Sequence, residues 1–298
     1  MRRKKLDLIT LKDTPPWDWP EDTGKRLLDL LRDERTPEAE RLLALDLAGD
    51  STVIDDDLAD ALLAHLADAK RDEETRIAAV LSLGPVLEHT DLMGFDDADD
   101  IAISERTFQR IQDSLHRLYT DASLPVELRR RILEAAVRAP QGWHEDAIRA
   151  AYADPEGSWR LTAVFCMRFV RGFDEQILES LHDADPAIRC EAVLAAGTWG
   201  LEAAFPHVSG LLRSTATEKP LLMAAIEAIA NIRPKETPQL LEHLADSEDE
   251  DIRAAVAEAL DMAEVGPIDE DELDWLDEGE DEDDEEGDGG PVDPKLLN

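Results

Sequence analysis

The sequence predicts an all-α fold, an α-solenoid (superhelix) of about seven helical hairpins followed by an acidic tail. Three observations lead to this fold class. A helix-start pattern recurs along the chain, a second set of amphipathic helices lies between its copies, and the spacing between copies is short and nearly constant. Such units bury their apolar faces only by stacking on one another.

The clearest copy of the helix-start pattern lies at residues 183–197. Asp185 suits the N-cap, because its carboxylate can accept hydrogen bonds from the first free backbone N–H groups. Pro186 then occupies the first helical position, where a missing N–H costs nothing. Ile188 and Ala192 follow at helical spacing, which predicts an apolar face packed closely on a neighbouring helix.

An apolar residue followed by Arg marks most copies, and we call the helices that carry it anchor helices. Copies at positions 159, 188, 221 and 252 are separated by 29, 33 and 31 residues, although the copy at 221 lacks the Arg. Arg76 marks an earlier copy. The run Arg129–Arg131 marks another, whose register the sequence leaves open by one residue.

A second series of helices is predicted between the anchor helices. Each member has Leu, Ile, Phe or Ala at i, i+3 and i+4, the spacing typical of an amphipathic helix. The repeating unit is therefore helix–turn–helix. The predicted second series comprises Gly24–Arg32, Asp57–Ala69, Glu105–Tyr119, Glu145–Ala153, Asp174–His182, Leu201–Arg213 and Thr237–Ala245.

Several turns carry an Asp with an Arg six residues later. The pairs are Asp154 with Arg160, Asp183 with Arg189 and, with Ser in the Asp position, Ser247 with Arg253. Over about residues 21–264 this pattern resembles the HEAT-repeat family, and more closely its short bacterial, PBS-lyase-like variety. The resemblance implies that these Asp and Arg side chains form a buried ladder between successive repeats.

The same resemblance implies that the second series lines the concave side. Its side chains then predict a polar and mostly acidic groove for a protein partner with a basic surface. The candidate contact residues are Trp17, Trp19, Trp143, His144, Glu145, Glu175, Glu179, Glu202 and Glu242.

HEAT repeats also occur in enzymes, so an enzyme is the alternative to a non-catalytic scaffold. Deoxyhypusine hydroxylases bind di-iron through several His-Glu pairs, whereas this sequence has only His144-Glu145. Bilin lyases share the repeat type, which keeps a lyase-like or chromophore-handling protein as the alternative. No nucleophile elbow, phosphate loop or HExxH motif is found. We expect no catalytic residue, cofactor or metal.

The net charge of −39, from 70 acidic and 31 basic residues, opposes binding to nucleic acid. It leaves two explanations open, a basic partner or adaptation to a salty cell. No apolar run is long enough for a membrane span, and the basic N-terminus is too broken by charge for a signal peptide. These features predict a cytoplasmic protein. Cys166 and Cys190 are interpreted as small core residues, and the oligomeric state stays open.

Three segments fall outside the regular repeats. Residues 1–20 are expected to form an extended cap, with Trp17 and Trp19 covering the open end of the first repeat or anchoring a partner. Residues 84–104 are expected to be an inserted acidic loop without the ligand spacing of a calcium-binding hand. Residues 265–298 are expected to be a disordered tail, because their composition cannot bury a core.

Overall fold

A computed structural model of the chain describes residues 7–95 and 102–265. Every regular element in these residues is a helix, as predicted, and seven helical hairpins follow one another along them. The hairpins are α2 (Thr23–Arg32) with α3 (Glu38–Ala48), α4 (Asp56–Ala67) with α5 (Glu73–Leu81), α7 (Glu105–Tyr119) with α8 (Val126–Ala136), α9 (Trp143–Ala153) with α10 (Gly157–Cys166), α11 (Asp174–Ser180) with α12 (Pro186–Thr198), α13 (Phe205–Arg213) with α14 (Lys219–Ile232), and α15 (Thr237–Leu241) with α16 (Glu250–Val265).

Two more helices lie outside the hairpins. Helix α1 (Leu8–Lys12) precedes the first hairpin, and α6 (Gly84–Met93) lies between the second and the third. Short 3-10 turns occur at Pro16–Asp18, Glu202–Ala204, Pro234–Glu236 and Glu242–Leu244.

The second helix of each hairpin is an anchor helix, and together these helices form the anchor row: α3, α5, α8, α10, α12, α14 and α16. Each member packs directly on the next. Small side chains bring α12 and α14 together, since Ala192, Ala196 and Ala228 are all buried. A Cβ on Gly197 would lie 2.6 Å from the Cα of Ala228, closer than real atoms approach.

The first helices of the hairpins correspond to the second series predicted from the sequence, and we call them the second row. They are α2, α4, α7, α9, α11, α13 and α15. Hydrogen bonds from side chains to backbone carbonyls connect neighbouring members. The Nε2 of His65 on α4 lies 3.0 Å from the carbonyl oxygen of Leu31 on α2. The Nε2 of His243, just after α15, lies 3.0 Å from the carbonyl oxygen of Leu212 on α13. These two imidazoles therefore satisfy carbonyl groups at the ends of the preceding helices.

The predicted ladder of Asp and Arg side chains is mostly a different interaction. The anchor Arg reaches back to a backbone carbonyl of its own turn or of the preceding helix. Arg189 Nη1 donates to the carbonyl of Asp183 at 2.8 Å, and Arg253 Nη1 to that of Ser247 at 2.6 Å. Arg76 Nε donates to the backbone carbonyl of Leu66 at 2.8 Å. An Arg at this position therefore caps the preceding segment whether or not a carboxylate is present.

One carboxylate rung does join two repeats. Arg160 Nε lies 3.1 Å from Asp183 Oδ2, and its Nη2 contacts Glu179 Oε1 at 3.2 Å. Both Arg160 and Asp183 are partly exposed rather than buried. The Asp154 carboxylate instead accepts the backbone N–H of Glu156 within its own turn. The expected buried ladder is thus reduced to one half-buried rung.

In the run of three arginines, Arg129 is the anchor residue. Its Nε donates to the carbonyl of Tyr119 at 2.9 Å, ten residues earlier, as Arg76 does to Leu66. Arg130 turns inward instead and is almost fully buried. The structure thereby settles the register that the sequence left open.

Within residues 7–20, Leu8–Lys12 form helix α1 and Pro16–Asp18 a 3-10 turn, so this part of the segment is not extended throughout as expected. Leu8 and Leu11 of α1 are buried, and α1 packs against α3. Trp19 packs on the same apolar cluster, and its Nε1 donates to the carbonyls of Leu11 and Thr14. Trp17 is 79% exposed. The open end of the first repeat is therefore covered by α1 and Trp19 without Trp17.

The expected inserted loop begins with helix α6, because Val86 and Leu87 are buried and α6 packs against α5 and α8. The carboxylate of Glu88 forms an ion pair with Arg138 at the end of α8. The acidic residues 96–100 of this insertion and the acidic tail from residue 266 onward lie outside the described residues.

The close approach of α12 and α14 predicts that Gly197→Ala destabilises the protein. A helical Gly→Ala change alone gains up to about 1 kcal/mol, but overpacking costs about 1–3 kcal/mol. We expect a net loss of about 1 kcal/mol or more in urea unfolding. Gly210→Ala in α13 is the control, since nothing lies within 4 Å of its added Cβ. Stabilisation by both changes would contradict the close packing.

The bonds from anchor arginines to carbonyl groups predict unequal losses at two similar positions. Arg76 is 7% exposed, so Arg76→Ala leaves a buried carbonyl unpaired and should cost about 2–3 kcal/mol. Arg253 makes the same kind of bond from an exposed position, where water can replace it. Arg253→Ala should cost less than about 1 kcal/mol. Equal losses in denaturant unfolding would show that burial does not set the strength of this bond.

Candidate functional site

A groove of about 860 Å³ runs along the anchor row from α8 to the start of α14. Its apolar wall is formed by Leu161 and Phe165 of α10 and Leu221 of α14. Cys190 and Glu191 of α12 lie between them. The groove therefore lies on the anchor row, whereas the sequence predicted a binding surface on the second row. Which row is concave stays a prediction.

A second cavity of about 460 Å³ continues the groove towards the C-terminal end of the repeats. The two cavities share Cys190 and Pro220. The second cavity extends along α14 and α16 as far as Met262, and Glu227 and Glu258 line it. We call the two cavities together the anchor groove.

A buried polar network holds the charged end of the anchor groove at α8. Arg131 donates to Glu127 Oε1 at 2.8 Å and to Glu134 Oε2 at 2.7 Å. The other oxygen of Glu134 accepts a hydrogen bond from the hydroxyl of Thr162 at 2.6 Å. The same hydroxyl accepts a hydrogen bond from Nε of Arg130 at 3.0 Å. The charges of this network are therefore bonded to one another and leave little for a ligand.

Glu191 is less well satisfied. Its Oε2 is buried and has no hydrogen-bond partner among the described residues. The cation that faces it is Arg168, whose Nη1 lies 3.8 Å from that oxygen, beyond hydrogen-bond distance. Burial raises the pKa of Glu191, and the nearby carboxylates of Glu134 and Glu227 add to this while Arg168 opposes it. The carboxylate is thus partly desolvated and underpaired.

The two cysteines of the chain differ sharply in access. Cys166 is fully buried under the groove, and burial raises the pKa of its thiol well above the usual value. Cys190 is half-buried, lines both cavities, and lies 3.6 Å from the carbonyl oxygen of Pro220. Cys190 is therefore the thiol that a ligand in the anchor groove would cover, although both were interpreted as core residues.

The glutamates expected to bind a partner lie on the second row, away from the anchor groove. Glu179 and Glu202 are exposed, and each forms an ion pair, with Arg160 and Arg233 respectively. Glu145 pairs with Arg149 one turn along α9 at 2.6 Å. The two remaining positions, Glu175 and Glu242, are exposed. The structure does not bring these five side chains together into one site.

Trp143 and His144 belong to a packed aromatic cluster. The ring of Trp143 stacks on that of His116, with centroids 4.6 Å apart and planes 10° apart. His144 is fully buried, and its Nδ1 accepts the backbone N–H of Gln141 at 2.8 Å. His144 therefore cannot meet a partner at the surface, contrary to expectation. Its place next to Trp143 in the sequence did not reveal that α7 covers this face.

Sequence reasoning missed the residues that form the anchor groove. Leu161, Phe165 and Leu221 were interpreted only through the helical pattern, where apolar residues read as core. In the structure these positions are partly exposed, beside the fully buried positions of the same helices. Hydrophobic periodicity alone does not separate a half-exposed groove wall from a core.

Within residues 7–95 and 102–265, no three His, Cys, Asp or Glu side chains are arranged to hold a metal ion. Over the same part of the chain, no helix combines the length and the apolar character that a membrane crossing requires.

Burial of His144 predicts a pH-dependent loss of stability. Burial, aided by His116, lowers the pKa of His144 to about 4, against about 6.5 in an unfolded chain. Between these values the unfolded state binds more protons, so stability falls as pH drops from about 6.5 to about 4, by up to about 3 kcal/mol. His144→Asn keeps an acceptor near Nδ1 and does not titrate. The difference in urea-unfolding free energy between wild type and variant should therefore shrink as pH falls from about 6.5 to about 4. A difference that stays constant over this range would contradict the prediction.

The comparisons with known proteins concern the same repeats. The family model for HEAT repeats matches residues 175–261, which span α11 to α16 except for its last residues. No curated protein matches the sequence at a significant level.

Three solved structures are similar to the chain. Human deoxyhypusine hydroxylase is 18% identical, with 82% of this chain and 97% of that chain covered and a TM-score of 0.36. Escherichia coli YibA is 15% identical, with 83% of this chain and 84% of that chain covered and a TM-score of 0.40. The CpcE–CpcF phycocyanin lyase complex of Nostoc is 18% identical, with 84% of this chain and 98% of that chain covered and a TM-score of 0.42. The family match covers α11 and the helices after it, so residues 175–261 carry HEAT repeats.

Proposed function

We propose that this protein is a non-catalytic scaffold that binds a segment of a protein partner in the anchor groove. The observation that supports this most directly is a cleft with an apolar wall across four successive anchor helices. A ligand lying along it would contact several repeats at once. Affinity would then come from the area of many small contacts, as in other groove-binding scaffolds.

The arrangement of charges favours binding over chemistry. A catalytic site needs a nucleophile, a base or a charge-stabilising group that converge on one point. In the groove, Arg131, Glu127 and Glu134 are bonded to one another. Arg189 donates to two carbonyls of its own turn. These side chains fix the shape of the cleft and are not aimed at a shared reacting atom.

Long-range electrostatics favour a partner with a basic surface. A net charge of −39 attracts cationic surfaces and accelerates their encounter at low salt. Screening shortens that attraction to roughly 10 Å at about 0.1 M ionic strength. Association should therefore slow as salt rises, whereas the apolar contacts inside the groove persist.

The groove can be tested with a phage-displayed random peptide library selected on the full chain. Ala187 is exposed and lines the groove, so Ala187→Trp fills the cleft without touching the core. We expect selected peptides to lose about tenfold or more in affinity, equivalent to about 1.4 kcal/mol. They should also slow maleimide labelling of Cys190, because the bound segment covers that thiol.

Ala203→Trp is the matched control, because Ala203 is exposed in a turn of the second row. It should leave peptide affinity unchanged, and both variants should unfold at the wild-type temperature. Peptides that bind both variants equally and leave Cys190 labelling unchanged would place binding outside the groove and refute the proposal.

A further inference from the structure

The anchor groove contains more than a place for an apolar segment. Three of its anchor helices contribute carboxylates: Glu134 on α8, Glu191 on α12 and Glu227 on α14. Glu134 is fully engaged by Arg131 and Thr162. The other two carboxylates depend on Arg168, which lies 3.8 Å from Glu191 and 3.9 Å from Glu227. One cation is therefore shared by two carboxylates without a hydrogen bond to either.

The unpaired charge in the groove is consequently negative. Arg131 donates through Nε and Nη1 to carboxylates, and Arg189 donates through Nη1 to carbonyls of its own turn. Oε2 of Glu191, in contrast, is buried with no hydrogen-bond donor among the described residues. A desolvated carboxylate oxygen without a donor is costly, and a cationic ligand group beside the carboxylate would offset that cost. An anionic ligand would be repelled by these carboxylates.

The apolar surroundings restrict the kind of cation. Leu161, Phe165 and Leu221 border the cleft beside Glu191. A small hydrated cation gains nothing from such walls. An Arg or Lys side chain lays an aliphatic stem on apolar surface and keeps its charged head at a carboxylate. Arginine fits better than lysine, because its planar guanidinium is weakly hydrated and can donate to both oxygens of one carboxylate.

Resting on the proposed function, we propose that the anchor groove recognises a partner segment that places an arginine side chain at Glu191, next to an apolar side chain packed on Leu161 and Phe165. Glu191 is then the specificity-determining residue of the groove. Arg168 keeps its long contacts to the two carboxylates in the free protein and yields Glu191 to the incoming guanidinium.

The test uses the full chain and three synthetic peptides of equal length: alternating Leu and Arg, alternating Leu and citrulline, and alternating Leu and Glu. Citrulline has the shape of arginine without its charge. Affinity is read by fluorescence anisotropy and groove occupancy by protection of Cys190 from a maleimide. We expect the Arg peptide to bind at least tenfold tighter than the citrulline peptide and to protect Cys190, and the Glu peptide to bind weakest.

Glu191→Gln keeps the shape of the side chain and removes its charge. It should reduce the preference for Arg over citrulline to about twofold or less. Glu175→Gln, at an exposed carboxylate of α11 outside the groove, is the matched control and should keep the wild-type preference. If Glu191→Gln fails to fold, the Arg and citrulline peptides are compared on the wild-type protein at about 1 M salt, where screening shortens long-range attraction to about 3 Å and a preference for Arg reports a direct contact.

Two results would overturn the inference in different ways. If the Arg and citrulline peptides bind equally and both protect Cys190, the groove binds peptides but has no subsite for a cation, and the proposed function stands. If these peptides and the library-selected peptides all leave Cys190 unprotected, the groove is not the binding surface, and the proposed function fails with the inference.

Discussion

At Gly197 the backbones of α12 and α14 approach so closely that a Cβ there would lie 2.6 Å from the Cα of Ala228. Small side chains on the facing helices permit this approach. The groove lies along the same row of helices, where it crosses α12 and reaches the start of α14.

The arginine of each anchor helix serves the same stack in another way. Every hairpin turn leaves carbonyl groups without helical partners, and a buried carbonyl must be paired. Arg189, Arg76 and Arg129 each reach back to such an oxygen with a charged donor. On the second row, His65 and His243 do so across successive hairpins. The repeat spacing is thereby fixed by backbone groups, so an Asp in the turn is optional.

The helices could be predicted because their signals are local. Caps and apolar periodicity specified Glu105–Tyr119 to the residue, and the Asp185 carboxylate accepts the N–H of Ala187 as expected. Helix α6 was missed because residues 84–104 were interpreted as an inserted loop, whereas contact of Val86 and Leu87 with the rest of the core stabilises a helix there. The groove could not be predicted in the same way, since it is formed by packing between helices that no single repeat encodes.

Counting acidic residues does not identify the carboxylate that the fold leaves underpaired. Glu179 and Glu202 are exposed, and each is paired with an arginine of the next or the preceding anchor helix. Exposed pairs of this kind are well hydrated and contribute little. Glu191 differs because its oxygen is removed from water without gaining a donor. In a protein with 70 acidic residues, the informative carboxylate is the one whose charge the fold leaves uncompensated, since only there does a partner's cation gain more than it loses in hydration.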